Sequence, residues 1–76
     1  LRPWKDAEVP VGAILRNIGG RDPYKWLIVA VCSDGITTCG GNEVLTRDAK
    51  FFLEKCEHST DGGRTWLPCW VVEDLK

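Results

Sequence analysis

Apolar and polar positions change rhythm several times along the chain, and each change marks an element. Residues 11–18 read as a first strand, and Gly19-Gly20-Arg21-Asp22-Pro23 is loop chemistry. Residues 25–33 carry the strongest strand signal. Their centre, Leu27-Ile28-Val29-Ala30-Val31-Cys32, is apolar without alternation, which predicts a central strand covered on both faces. Asp34-Gly35 reads as a two-residue hairpin turn. A short third strand follows over 36–39, and Gly40-Gly41-Asn42 ends it.

The period then lengthens. Ala49, Phe52, Leu53 and Cys56 stand at i, i+3, i+4 and i+7, the spacing of a helix with one buried stripe. This predicts a helix over 47–56, with Thr46 as N-cap and Asp48 in the first turn, where a negative charge suits the helix dipole. Ten residues form no stable helix alone, so the helix must dock on the sheet. Residues 57–60 and 64–72 then read as a last hairpin. Pro68 cannot donate to a ladder, so its strand is an edge or carries a bulge. Alternation places Trp66, Pro68, Trp70 and Val72 on one face, and Leu67, Cys69 and Val71 on the other. Pro3 and Pro10 restrict themselves and their predecessors, so residues 1–10 read as an extended segment.

The expected organisation is an extended segment over 1–10 and one small domain over 11–76. The fold class is α+β, mostly β, in the order β-β-β-α-β-β. Five short antiparallel strands form a curled sheet or SH3-like, partly open barrel with the helix over its open side; a flatter α+β sandwich is the alternative. With 76 residues the chain makes one domain at most, and one that buries only about 60% of its unfolded surface. The 43% hydrophobic content is too high for an intrinsically disordered chain. Ten basic and eleven acidic residues give a net charge of −1, which supplies no electrostatic case for nucleic acid or a membrane surface. The longest apolar run, 26–32, falls far short of the roughly 20 residues a spanning helix requires. Leu1-Arg2-Pro3-Trp4-Lys5-Asp6 has no apolar signal core, so the expectation is a soluble, cytoplasmic protein.

Four cysteines admit three disulfide pairings, but the residues around them favour thiols. Cys32, Cys56 and Cys69 sit in apolar stretches, where a reduced cysteine packs as a small hydrophobe. The Asp34-Gly35 turn pairs Cys32 with Thr37 and Ala30 with Cys39. Cys32 and Cys39 are then diagonal neighbours about 7–8 Å apart, marginal for a bridge. Intervals of six, sixteen and twelve residues between the cysteines lack the short pairs of structural zinc sites, so no metal and no cofactor is expected.

The most specific local pattern is Ser59-Thr60-Asp61-Gly62-Gly63-Arg64-Thr65-Trp66, which fits S-x-D-x-G-x-T-W. Asp61 can accept from backbone N–H groups just ahead, the glycines allow positive φ, and the indole can cover the hairpin base. The string resembles the Asp-box, a β-hairpin motif repeated in sialidase-type propellers and found singly in other β proteins. The resemblance implies a structural turn built on Ser59, Asp61, Gly63, Thr65 and Trp66, away from any catalytic site. A propeller itself needs many repeats and a much longer chain. Arg2-Pro3-Trp4, the run Glu8-Val9-Pro10-Val11-Gly12 and residues 59–69 are also similar, in order, to small uncharacterised proteins of phages and other mobile elements. That resemblance implies a genomic context and no activity.

Catalysis needs positioned groups with tuned pKa values. The single imidazole, His58, is flanked by Glu57 and Ser59, whose side chains point to the opposite face of a strand. No spacing selects one thiol as its nucleophile, and Gly19-Gly20 and Gly40-Gly41 lack the residues that complete a phosphate loop. No catalytic residue is therefore assigned. Four tryptophans in so short a chain point instead to binding, since tryptophan concentrates at interaction hot spots. Trp4, in a proline-bounded segment, is hard to bury; with Arg64, Trp66 and Trp70 it is the candidate contact set. The expected function is a non-enzymatic accessory protein that binds an unknown protein partner, or itself, through this aromatic edge. Two alternatives carry their own signatures. A nucleic-acid binder would gather Arg2, Lys5, Arg16, Arg21, Arg47 and Arg64 on one face. A small hydrolase or nuclease would hold His58 and a carboxylate in a concave pocket.

Overall fold

The computed structural model describes residues 1–21 and 23–72. In chain order the elements are β1 (Arg2–Pro3), a 3-10 helix (Asp6–Glu8), β2 (Ile14–Asn17), β3 (Lys25–Cys32), β4 (Gly35–Gly40), β5 (Glu43–Arg47), α1 (Ala49–Lys55), β6 (Cys56–Ser59), β7 (Leu67–Pro68) and β8 (Trp70–Val71). Six strands form one antiparallel sheet in the order β5-β4-β3-β2-β6-β7, and β1 pairs with β8 in a separate two-stranded ribbon. The molecule is thus mostly β with one α-helix, as expected, but the described residues form eight strands rather than five. The sheet is open, with β5 and β7 as its two edges.

The helix covers one face because it carries the chain from edge strand β5 back across the sheet to β6, beyond β2. Its start lies two residues later than the spacing predicts. Asp48 is the N-cap, accepting from the Phe51 N–H at 3.0 Å, while Thr46 belongs to β5 and bonds Thr37 at 3.0 Å between hydroxyls. The periodicity predicts no strand over Glu43–Arg47, whose polar ends mask a central Val44-Leu45. Phe52 and Cys56 point into the core with Leu15, Ile28, Ile36, Ala13, Cys69 and Trp4. Each large aliphatic or aromatic side chain fully buried here contributes about 1.5–3 kcal/mol.

The β3–β4 hairpin corrects two expectations. Cys32 pairs with Gly35, so the turn residues are Ser33 and Asp34, one position earlier than predicted. Gly35 lies within the strand at φ 134°, and an added Cβ would strike the Arg47 carbonyl. The register also shifts between Ile28 and Ala30, with Val29 as the extra residue of a bulge. The apolar run of β3 therefore does not mean cover on both sides. Ile28 is fully buried, whereas Leu27 and Val29 are 44% and 41% exposed on either side of it.

The ends of the chain are strapped together. Arg2 pairs with Val71 and Pro3 with Trp70. Glu8 then clamps the segment: its carboxylate takes two bonds from the Arg2 guanidinium, at 2.6 and 2.7 Å, and one from the Lys5 N–H at 2.8 Å. This strap drives Trp4 into the core, 8% exposed, against the reading that it is hard to bury. Pro68 lies on an edge strand, as its chemistry requires, and a bend at Cys69 divides the expected final strand into β7 and β8.

Candidate interaction surface

At the hairpin after β6, Ser59 is 1% exposed and its Oγ donates to Asp61 Oδ1 at 2.7 Å while accepting from the Gly63 N–H at 2.8 Å. The same carboxylate oxygen accepts from the Arg64 and Thr65 N–H groups, both at 3.0 Å, and Asp61 Oδ2 accepts from the Thr65 hydroxyl at 2.6 Å. Gly62 and Gly63 sit at φ 78° and 94°, where a side chain would be strained. Donors from Ser59 and Thr65 hold the Asp61 carboxyl far below the usual carboxylate range. The polar side chains of Ser59, Asp61 and Thr65 are all engaged in shaping the turn.

Trp66 follows this turn and lies beneath Arg16, whose guanidinium carbon is 4.1 Å from the ring centroid. Arg16 is fixed from the other side by Glu57 at 2.6 Å. Arginine over an indole, pinned by a carboxylate, is a preorganised cation–π contact. Trp66 and Trp70 are both half-buried, with Trp70 set opposite Pro3 in the ribbon. Arg64 is exposed, and Leu67 beside it is 50% exposed. Of the four predicted contact residues, Arg64, Trp66 and Trp70 reach the surface, while Trp4 lies in the core.

His58 faces inward. Its ring meets Trp4 edge-on at 5.1 Å, and Nδ1 lies 3.7 Å from the Cys69 sulfur. Burial lowers the imidazole pKa, against the opposing pull of the Leu67 and Pro68 backbone. Burial also pushes the fully enclosed Cys69 thiol far up, reinforced by Cys56 and Glu57. A nucleophilic thiol must be ionised and reachable, and this one is neither, so the pair is a packing contact.

A crevice of about 80 Å³ lies between α1 and the β4–β5 end of the sheet, lined by Trp26, Leu45, Phe51, Phe52 and Cys56 among others. It has about half the volume of a cavity that accepts benzene, so it is a packing gap rather than a ligand site. A shallower hollow of about 450 Å³ lies beside the Gly40-Gly41 turn. Neither is lined by His58. Among the described residues no cluster of three or more His, Cys, Asp or Glu is placed to hold a metal ion, and no helix is long and apolar enough to cross a membrane. Of the six cationic residues named above, Arg2 and Arg16 are paired with carboxylates and Arg47 lies over Phe51 at 5.6 Å.

The surface that the sequence did not disclose is the sheet face opposite the helix. Directly paired residues in antiparallel strands point to the same side. The register therefore aligns Val44, Cys39, Leu27 and Ile14 in one row across β5, β4, β3 and β2. Val44 is 68% exposed, Leu27 44%, and Cys39 is exposed. A second row, Lys25, Arg16, Glu57 and Pro68, runs beside it and ends at Trp66. On the other side Ala30, Thr37 and Thr46 form a third, weakly polar row. An apolar stripe with a polar rim is the anatomy of a protein interface. Cys32 also points to this side, bonded to the Thr37 hydroxyl at 3.2 Å, so only Cys56 and Cys69 are core thiols. Cys39 lies four residue steps along β4 from Gly35, the partner of Cys32, a span of about 13 Å that forbids a bridge; all four cysteines are free.

Comparison of the chain with protein-family models, with curated proteins and with solved structures finds no match.

Proposed function

We propose that this domain is a non-enzymatic interaction module that engages a protein partner through the open face of its sheet. The observation that carries this reading is the row Val44, Cys39, Leu27 and Ile14, left uncovered because the helix lies entirely on the other face. The aromatic edge belongs to the same surface as its border: Trp66, clamped by Arg16, and Pro68 flank the row at the β7 end. The ordered similarity of Arg2-Pro3-Trp4, residues 8–12 and residues 59–69 to small phage proteins supports an accessory role in a mobile element. Placing His58 and Cys69 inside the core gives the hydrolytic alternative no reachable group.

The test is affinity capture from nuclease-treated bacterial lysate with the wild-type domain and with Leu27→Glu. Leu27 is nearly half exposed and outside the core, so the charge disrupts the face without unfolding the chain. The reading expects a stoichiometric protein on the wild type that is absent from the variant. Material lost on nuclease treatment moves the domain to nucleic-acid binding, and equal capture by both forms removes the face from the contact.

A further inference from the structure

The two edges of the six-stranded sheet are protected very differently. At one end β7 is two residues long and contains Pro68, which has no N–H to offer. At the other, β5 is five residues long, contains no proline, and pairs with β4 in unbroken register. Soluble proteins ordinarily blunt an edge with brevity, proline, a bulge or charge, because its free N–H and C=O groups template another strand. Of these devices β5 carries only charge. Its sequence, Glu43-Val44-Leu45-Thr46-Arg47, has opposite charges at its two ends. Among the described residues, Glu43 has no cation and Arg47 no carboxylate within ion-pairing distance; Arg47 makes only a long 3.4 Å bond to the Thr46 carbonyl and its stack on Phe51.

We propose that β5 pairs antiparallel with β5 of a second copy of this chain, about a two-fold axis through Leu45. In that register Glu43 faces Arg47 of the second copy, and Arg47 faces its Glu43, so both unpaired charges are satisfied twice by one symmetric contact. Val44 meets Thr46 on the open face, and Leu45 meets its own symmetry mate on the helix side. The axis stands perpendicular to the sheet. It joins two six-stranded sheets into one of twelve, with both helices on one side and both apolar rows on the other. The contact uses the edge, not the face, and stands independently of any partner held on the face.

The experiment is sedimentation of the wild type, E43R, R47E and an equimolar mixture of the two variants, at concentrations up to about 1 mM, the weak end of specific affinity. Wild type is expected to approach twice the 8.5 kDa of one chain. Each variant places like charges at both ends of the pair and should weaken self-association at least about tenfold. The mixture sets arginines on one strand against glutamates on the other, and should recover mixed dimers with wild-type affinity or better. Circular dichroism of each variant confirms the fold, and recovery in the mixture does so independently. A monomeric wild type overturns the proposal. So do single variants that dimerise like wild type, which would place the contact elsewhere, or a mixture that fails to recover.

Discussion

Cys39 and Cys69 have the same side chain and opposite fates. Cys69 is fully enclosed and Cys56 nearly so; burial raises Cys56 to about 11 and Cys69 further still. Cys32 and Cys39 lie exposed on the open face. Brief alkylation of the folded protein followed by mass spectrometry should therefore add two groups, both on these residues, and denaturation should expose all four. His58 offers a second measurement at this scale, because the chain has no other histidine to confuse its signal. Burial favours the neutral ring, so its proton resonance should titrate with a midpoint below 6.5. The unfolded chain takes up that proton first, so stability falls as the pH drops below 6.5. Glu8 works in a lower window. Arg2 and the Lys5 N–H hold its carboxyl at about 2, from an ordinary 4.5. Its stabilising effect is present above 4.5 and is lost as pH falls toward 2. Urea midpoints of wild type and Glu8→Gln should differ at neutral pH and converge across that interval.

Elements were legible where a side chain and its period agree. Phe52 and Cys56 mark the buried stripe of α1, and Phe52→Ala should cost about 3–5 kcal/mol by urea denaturation, enough to unfold much of a domain this small. The Asp-box hairpin was legible for a stronger reason: each polar position of the motif has a defined bond, and each appears. Asp61→Ala should lower the melting temperature and leave the thiol-labelling pattern unchanged. Three things could not be read. β5 is too short and too polar at its ends to announce itself, and its own Thr46 mimics a cap. The bulge at Val29 breaks alternation in β3, and a broken alternation is indistinguishable in sequence from a strand covered twice. The pairing of Arg2–Pro3 with Trp70–Val71 joins opposite ends of the chain, and no local pattern encodes a contact at that separation. The burial of Trp4 depends on it.

For the whole molecule, one helix for six strands is the decisive imbalance. A single seven-residue helix can cover one face only, and the core collects there. The other face keeps an apolar row between polar ones, and the longer edge keeps two unmatched charges. Neither feature was visible before the register was known: Val44, Cys39, Leu27 and Ile14 are far apart in sequence and become neighbours only through three strand pairings. The sequence alone groups Arg64 with Trp66, but the arginine that lies over the Trp66 indole is Arg16, which the pairing of β2 with β6 brings alongside.

Cys39 stands in the middle of the apolar row and supplies the most direct measurement of whether that row is a contact. Its alkylation rate can be followed by mass spectrometry in the isolated domain and in the captured complex, with buried Cys56 and Cys69 as internal controls for folding. The account predicts that the partner suppresses labelling of Cys39 while the two controls stay protected in both samples. Unchanged labelling of Cys39 within an intact complex would contradict it, and would place the partner on another surface.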